Sequence, residues 1–260
     1  MINVIGPTFY DFIYTHKGCQ NLIGGAWNVA EYLIQNNINT AIYTKLGNDS
    51  YGDMIFSEII DRGISRSIIR EGKTSLSSFY IYEGKKSNIL AEIYKFKLQK
   101  ISANSSDITH VCYPEQMYIS DARWREIRKS KYVIVDIQNE CTQKEVNRIA
   151  KYADLIVSDL WFNLSKNTIF LYKNYPYNNK LYINGSKISF RFDVPPTENY
   201  INVGGGDLLV ATLCIQLDHY GSINIEKACK QVSNILKLRT YDNKKLQWNY
   251  KDALYSTNGW

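Results

Sequence analysis

Residues 202–210 read Asn-Val-Gly-Gly-Gly-Asp-Leu-Leu-Val and place three glycines directly before a carboxylate that opens an apolar stretch. The first amides of a helix have no intrahelical partner and lie at the positive end of its dipole. Glycines there let a phosphate approach the backbone, because no Cβ intervenes. A carboxylate beside such a site can accept the proton of a hydroxyl whose oxygen attacks phosphorus. The pattern predicts phosphoryl transfer, with the amides of Gly204, Gly205 and Gly206 as an anion hole and Asp207 as the base.

Other interpretations of the glycine-rich segments must be weighed against this one. Gly72-Lys73-Thr74 ends like a Walker A loop, but Ser67 occupies the position of that loop's first glycine. The stretch GGGDLL has no third glycine at the spacing that a dinucleotide fold requires. A plain alternative stays open from these residues alone: Asp207 could simply cap a helix that follows a flexible turn.

Segments with strand and helix patterns alternate along most of the chain. Runs such as INVIG and KYVIVDI are apolar and β-branched, whereas GGAWNVAEYLIQNN repeats apolar residues at helical spacing. Such alternation is typical of βαβ units, so we predict an α/β fold with a doubly wound, mainly parallel sheet and helices on both faces. Two helices, at about 207–219 and 224–239, are expected to end the pattern.

Residues 74–98 break this alternation. The run TSLSSFYIYEGKKSNILAEIYKF predicts two strands joined near residues 83–86 in a hairpin without a helix. The chain shows no internal repeat and no low-complexity linker. We therefore predict a single α/β domain over residues 1–260 that carries a small β-appendage.

Composition argues against several classes of protein. The five cysteines are odd in number and never spaced Cys-x-x-Cys, and the three histidines share no ligand spacing, so neither a disulfide framework nor a protein metal site is expected. No apolar run approaches the roughly 20 residues that span a bilayer, and the start lacks an export signal. We therefore expect a cytoplasmic protein without a membrane partner. The net charge is +6, but the lysines and arginines are spread along the chain, which does not favour a nucleic acid partner.

Residues 24–64 resemble the N-terminal signature of the ribokinase-like (PfkB) sugar and nucleoside kinases. In that family two glycines, with an asparagine three residues after the second, hold substrate hydroxyls. Gly24, Gly25 and Asn28 match them in this sequence. The resemblance therefore implies that these three residues bind substrate.

Two further elements of the family pattern match. A Gly-x-Asp-x-x-Gly turn follows the signature in the family, and Gly47, Asp49 and Gly52 match it here. The segment VIGPTFYDF looks like the family's first strand, whose closing acid binds the sugar. Asp11 is the matching acid, so the resemblance makes it a fourth substrate-binding residue.

The family's second signature, Asp-Thr-Thr-Gly-Ala-Gly-Asp, contains its anion hole and its base, and INVGGGD aligns with it over Gly204–Gly206 and Asp207. The resemblance spans nearly the whole chain. It implies an ATP-dependent phosphotransferase acting on a hydroxyl, in particular a hydroxymethyl group, of a sugar or sugar derivative, with Mg²⁺ bridging the nucleotide phosphates. It also implies a β-lid over the sugar, formed here by about 8–22 and 74–98, and a homodimer contact through that lid.

A finer resemblance concerns the acceptor. The short spacing from Asp11 to Gly24, the form GG-x-x-N-V-A, the total length and the terminal NGW look most like fructosamine kinases of the fructoselysine 6-kinase type. A sugar or a fructosamine is therefore the expected small-molecule partner.

Three departures from the family pattern lie on its nucleotide side. Ile201-Asn202-Val203 replaces the Asp-Thr-Thr that precedes the anion hole. Ser158-Asp159-Leu160-Trp161 stands near the place of the Asn-x-x-Glu that organises water around magnesium, and FLYKNYPYNN replaces a glycine-rich segment that borders the nucleotide. The sugar-side residues are intact. The asymmetry keeps open an alternative of another class, a catalytically impaired member of the family that acts as a sugar-binding or regulatory module.

Overall fold

The computed structural model describes residues 1–15, 18–82, 85–101, 103–105, 107–138, 140–164, 168–174, 178–183, 186–190 and 204–238. The strands in these residues are β1 (Ile2–Ile5), β2 (Thr8–Thr15), β3 (Gly18–Gly25), β4 (Thr40–Leu46), β5 (Ser65–Arg70), β6 (Ser75–Tyr82), β7 (Lys85–Glu92), β8 (Phe96–Lys97), β9 (Ile108–Cys112), β10 (Met117–Tyr118), β11 (Tyr132–Ile137), β12 (Leu155–Ser158), β13 (Ile169–Asn174), β14 (Asn178–Ile183) and β15 (Ser186–Phe190). The helices are α1 (Ala26–Gln35), α2 (Ser50–Asp61), α3 (Asp121–Ile127), α4 (Gln143–Ile149), α5 (Gly205–Tyr220) and α6 (Ile225–Leu238), and a single 3-10 turn covers Pro114–Gln116.

Nine strands form the central sheet in the order β15-β14-β13-β12-β11-β9-β1-β4-β5. The seven strands from β13 to β5 pair in parallel, whereas β14 and β15 are antiparallel. Strands β1, β9 and β12 are buried along their whole length, as expected for a parallel sheet with both faces covered. The predicted doubly wound, mainly parallel α/β fold is confirmed.

Apolar side chains on the two faces of the sheet form two separate clusters. One cluster includes residues of α1, α2, α5 and α6, and the other includes residues of α3 and α4. Strand β11 contributes to both, because Ile134 joins the first cluster while Val133 and Val135 join the second. Among the described residues, no helix is both long and apolar enough to cross a membrane.

A second sheet of four strands, which we call the small sheet, has the order β3-β2-β6-β7. Strand β2 is antiparallel to β3 and parallel to β6, and β6 forms a hairpin with β7. Strand β3 ends at Gly25 and α1 begins at Ala26, so the small sheet leads into the main domain without a linker. A two-stranded pair, β8 and β10, completes the strands.

The structure differs from the sequence-based expectation at several places. Asp11 lies within β2 and not at the end of the first strand, because Gly6-Pro7 ends β1 at Ile5. Strands β5 and β14 were not expected, since their sequences mix polar and apolar residues without a clear period. The segment Ile201-Asn202-Val203, the hairpin residues 83–84 and the terminal residues 239–260 lie outside the described residues.

Candidate active site

The glycine stretch begins helix α5. Gly204 is the N-cap and has a left-handed backbone (φ 77°, ψ 9°), a conformation that glycine adopts without steric cost. The helix starts at Gly205, and Asp207 is a buried residue of its first turn. Because the cap is Gly204, Asp207 is not the capping residue, and the plain alternative left open by the sequence is wrong. The amides of this first turn are available to an anion, since a helix offers them no partner.

Residues from three distant parts of the chain meet at the Asp207 carboxylate. Asn28 Nδ2, from the first turn of α1, donates a hydrogen bond of 2.7 Å to Asp207 Oδ2. Tyr113 Oη, from the turn after β9, donates a hydrogen bond of 2.7 Å to Asp207 Oδ1. The two candidate residues Asn28 and Asp207, 179 positions apart in sequence, are therefore in direct contact.

Asp11 and Gly24 lie against each other across β2 and β3. Asp11 is buried, and Ser77 Oγ from β6 donates a short hydrogen bond to Asp11 Oδ1. A Cβ on Gly24 would overlap the Asp11 carboxylate, so a larger residue there would require that carboxylate to move. Phe9 pairs with Gly24 in the small sheet, and its ring centroid is 6.3 Å from that of Tyr113. Strand β2, which carries Asp11, is thereby packed against the Tyr113 ring of the Asp207 cluster.

Gly25 forms the junction between the small sheet and α1. It is the N-cap of α1 with φ 67° and ψ −133°, a conformation that favours glycine. A Cβ there would also lie 2.8 Å from the Phe9 ring and would overlap the backbone of Pro7. The backbone at Gly25 therefore passes close to β2, which brings Asn28 to Asp207.

The Gly-x-Asp-x-x-Gly turn fastens α2 to the small sheet. Asp49 caps α2 by accepting a hydrogen bond of 2.8 Å from Gly52 N, and it also accepts bonds from the backbone N and the Oγ1 of Thr74. Although burial acts to raise the pKa of Asp49, the hydrogen bonds from Thr74 and Gly52 outweigh it and hold that pKa below its ordinary value. This turn has a structural role: it anchors the start of β6, the strand that carries Ser77.

Tyr113 is a site residue that the sequence analysis missed. It is buried and has a left-handed backbone with φ 52° and ψ 59°. Burial, with a further contribution from the nearby Asp207, raises the pKa of the Tyr113 hydroxyl well above its ordinary value. One available signal was its place at the end of the apolar run THVCY, because ligands of open α/β sheets bind at the carboxyl ends of the strands.

A buried carboxyl lies two residues beyond Tyr113. Glu115 Oε1 accepts a hydrogen bond of 3.1 Å from Gln138 N, while within the described part of the chain Glu115 Oε2 is buried without a hydrogen-bond partner. Burial raises the pKa of Glu115 from its ordinary value of 4.5 to about 8. The folded protein therefore keeps this carboxyl protonated over a pH range in which the unfolded chain ionises it.

This difference predicts a pH-dependent stability. The unfolding free energy should fall as pH rises from about 4.5 to about 8, because the folded state alone holds the Glu115 proton in that window. Glu115→Gln should remove this part of the slope and raise the unfolding free energy at pH 8 by about 1–3 kcal/mol. Calorimetric unfolding between pH 5 and pH 8 measures the slope of the unfolding free energy, with Glu71→Gln at an exposed carboxyl as the control. An unchanged slope in Glu115→Gln would show that Glu115 ionises normally.

Of the segments that depart from the kinase pattern, the structure describes Ser158–Trp161, which begins at the end of β12, and residues 170–174 and 178–179 of FLYKNYPYNN, which lie in β13 and β14. Ser158, the last residue of β12, accepts a hydrogen bond of 3.0 Å from Leu160 N through its Oγ. The Trp161 side chain is half exposed. Its ring centroid lies 5.5 Å from that of Phe170 and 5.8 Å from that of Tyr172. The described residues contain no group of three or more His, Cys, Asp or Glu that could hold a metal ion.

Comparison with known proteins identifies the fold. The chain is similar to a pyrophosphate-dependent kinase of the ribokinase family (16% identity, 97% of this chain and 100% of that one, TM-score 0.66). It is also similar to fructokinase from Vibrio cholerae O395 solved with fructose, ADP and calcium (15%, 93% and 92%, 0.68) and to ribokinase from Giardia lamblia (12%, 98% and 99%, 0.69). No protein-family model and no curated protein matches the sequence. The structural neighbours are thus sugar and inositol kinases, and the fold is ribokinase-like.

Proposed function

Starting from the ribokinase-like fold, we propose that this protein is an ATP-dependent kinase that phosphorylates a hydroxyl, in particular a hydroxymethyl group, of a sugar or sugar derivative. One observation carries the proposal: the buried Asp207 carboxylate, in the first turn of α5, is hydrogen-bonded to Asn28 of the glycine-rich N-terminal segment. An acid is thereby placed beside the first amides of a helix, which have no intrahelical partner, and next to a segment suited to hydroxyls.

Asp207 acts as the base in the proposed reaction. It accepts the proton of the acceptor hydroxyl while that oxygen forms a bond to the terminal phosphorus of the donor. The bond from this phosphorus to its bridging oxygen breaks, and ADP leaves with the electron pair. The amides of Gly204–Gly206 stabilise the charge on the phosphoryl group as it moves. Mg²⁺, if bound together with the donor, would supply further neutralisation of charge.

The sugar side of the site consists of Asp11, Gly24, Gly25 and Asn28. The Asp11 carboxylate and the Asn28 amide have the chemistry to bind hydroxyl groups, while the two glycines leave room at the backbone. The small sheet would act as a lid that excludes water, because an open site would waste the donor by hydrolysis. A homodimer through this lid is part of the same proposal, as is a fructosamine acceptor.

Two alternatives follow from the altered segment Ser158-Asp159-Leu160-Trp161 on the nucleotide side. The first is a protein that binds a sugar without transferring phosphate. The second is a kinase that uses a phosphate donor other than ATP. A solved structure that matches 97% of this chain is that of a pyrophosphate-dependent kinase. Pyrophosphate contains no adenine, so an enzyme that uses it would tolerate changes in the segment that borders the nucleotide.

A donor and acceptor panel separates these functions. Sugars and fructosamines are incubated with ATP–Mg²⁺ or with pyrophosphate–Mg²⁺, and the release of ADP or phosphate is measured against a reaction without acceptor. We expect acceptor-dependent release of ADP. Release from pyrophosphate alone would reassign the donor, and sugar binding in calorimetry without turnover on either donor would favour the non-catalytic module.

A further inference from the structure

We propose that Tyr113 is a positioning residue for the reaction: its hydroxyl fixes the orientation of the Asp207 carboxylate and keeps it ionised for proton acceptance. This inference rests on the proposed function, in which Asp207 is the base. It assigns a role to a residue that no signature of the sequence singled out.

The first support is the geometry of the two donors. Tyr113 Oη bonds to Asp207 Oδ1 and Asn28 Nδ2 bonds to Asp207 Oδ2, each over 2.7 Å. The donors come from different elements and hold different oxygens, so together they fix the rotation of the carboxylate. Each carboxylate oxygen has two lone pairs, so a bonded oxygen can still accept a proton from a substrate hydroxyl.

The second support is the way in which Tyr113 is held. Its left-handed backbone is uncommon for a bulky residue, and such strain persists where the surrounding structure imposes it. Tyr113 N donates a hydrogen bond of 2.9 Å to Asp136 O of the neighbouring strand β11, and Pro114 follows at once in the 3-10 turn. These constraints aim the ring from the end of β9 toward α5.

The third support is the electrostatic setting. Among the described residues, the titratable groups that act on Tyr113 are Asp207, Cys112 of β9 and Asp136 of β11, and Glu115 of the 3-10 turn acts on the adjacent Cys112; none of them carries positive charge. Burial raises the pKa of Cys112 and of Glu115, so near neutral pH these two groups are protonated, and none of these neighbours offers the carboxylate a positive charge. A hydrogen bond to the charged form of a buried acid favours its ionisation. Because burial raises the Tyr113 pKa, the hydroxyl keeps its proton and acts toward the carboxylate as a donor.

The test compares Tyr113→Phe with Tyr132→Phe. Tyr132 Oη, from β11, bonds to Gly221 O at the opposite end of α5, so the control removes a hydroxyl that bonds to the same helix but lies away from the site. We expect the acid limb of the kcat profile of Tyr113→Phe to move up by about one pH unit, a loss of about tenfold on that limb. The acceptor KM should stay within about twofold, because the acceptor does not bind this hydroxyl. A profile that coincides with the wild type would overturn the inference.

A second readout does not require turnover. Carbon-13 labelled aspartate reports the pKa of Asp207, whose signal is assigned by its loss in Asp207→Asn. This pKa should rise by about one unit in Tyr113→Phe and stay unchanged in Tyr132→Phe. An unchanged pKa in Tyr113→Phe overturns the inference even if kinase activity is found. Absence of turnover on every donor and acceptor, with the shift present, overturns the proposed function alone.

If Tyr113→Phe fails to fold, 3-fluorotyrosine at position 113 replaces it. Its hydroxyl is more acidic and a stronger donor, so the Asp207 pKa should move down. No movement in that variant would again count against a positioning role.

Discussion

Replacement of Asp207 with asparagine is expected to lower kcat by about a hundredfold to ten-thousandfold, the usual contribution of a positioned base. The amide cannot accept the proton of the acceptor hydroxyl, while the amides of Gly204–Gly206 remain to stabilise the phosphoryl group. Acceptor binding should change little, because Asp11 and Asn28 are retained. Steady-state kinetics of ADP release, together with calorimetric titration of the acceptor, measure the two effects separately.

The matched control for this change is Asp218→Asn. Asp218 is an exposed acid in the last turn of α5, so the control removes a carboxylate from the same helix. Its kcat should equal that of the wild type. If Asp207→Asn also turns over at the wild-type rate, Asp207 has no part in the mechanism.

Asp11→Asn is the second change with a large expected effect, and it acts on the acceptor. We expect a rise of about tenfold to a hundredfold in the acceptor dissociation constant, because a hydrogen bond to a charged group is stronger than one to a neutral amide. Asparagine keeps the size of the side chain and can still accept the bond from Ser77 Oγ. The fold should therefore survive, as thermal unfolding would verify.

The control for the acceptor site is Asp61→Asn at the exposed end of α2. It removes one negative charge from the protein without altering a buried group. Equal acceptor affinity in Asp11→Asn and in the control would remove Asp11 from the binding site. A loss in kcat alone, at unchanged affinity, would also contradict its assignment.

The parallel sheet could be predicted because its signal is local. Runs such as INVI and LIVS are mainly apolar, and the structure buries both completely. The helix at Asp207 was likewise readable from three glycines followed by an apolar stretch. Asp11 was misplaced because the apolar and aromatic run continues across Gly6-Pro7, although that pair breaks the strand. The edge strand β5 has no such run, since four of its six residues are polar.

The contacts around the base could be predicted only in part. The resemblance to the two signatures of the ribokinase-like kinases predicted that the glycine-rich segments near residues 24–28 and 204–207 form one site. The hydrogen bond between Asn28 and Asp207 joins these segments. The Tyr113–Asp207 bond spans 94 positions and depends on a left-handed residue at the end of β9, which composition and periodicity do not report. The burial that raises the Glu115 pKa to about 8 likewise arises from packing, so no local pattern predicts it.

Phosphorus-31 NMR of the product tests the central claim most directly. The wild type is incubated with the best acceptor of the panel and ATP–Mg²⁺, beside Asp207→Asn and Asp218→Asn. We predict a phosphomonoester signal coupled to the protons of an acceptor CH₂ group for the wild type and Asp218→Asn, and little or none for Asp207→Asn. A phosphomonoester formed equally by all three proteins, or by none of them while the acceptor is bound, would contradict the account.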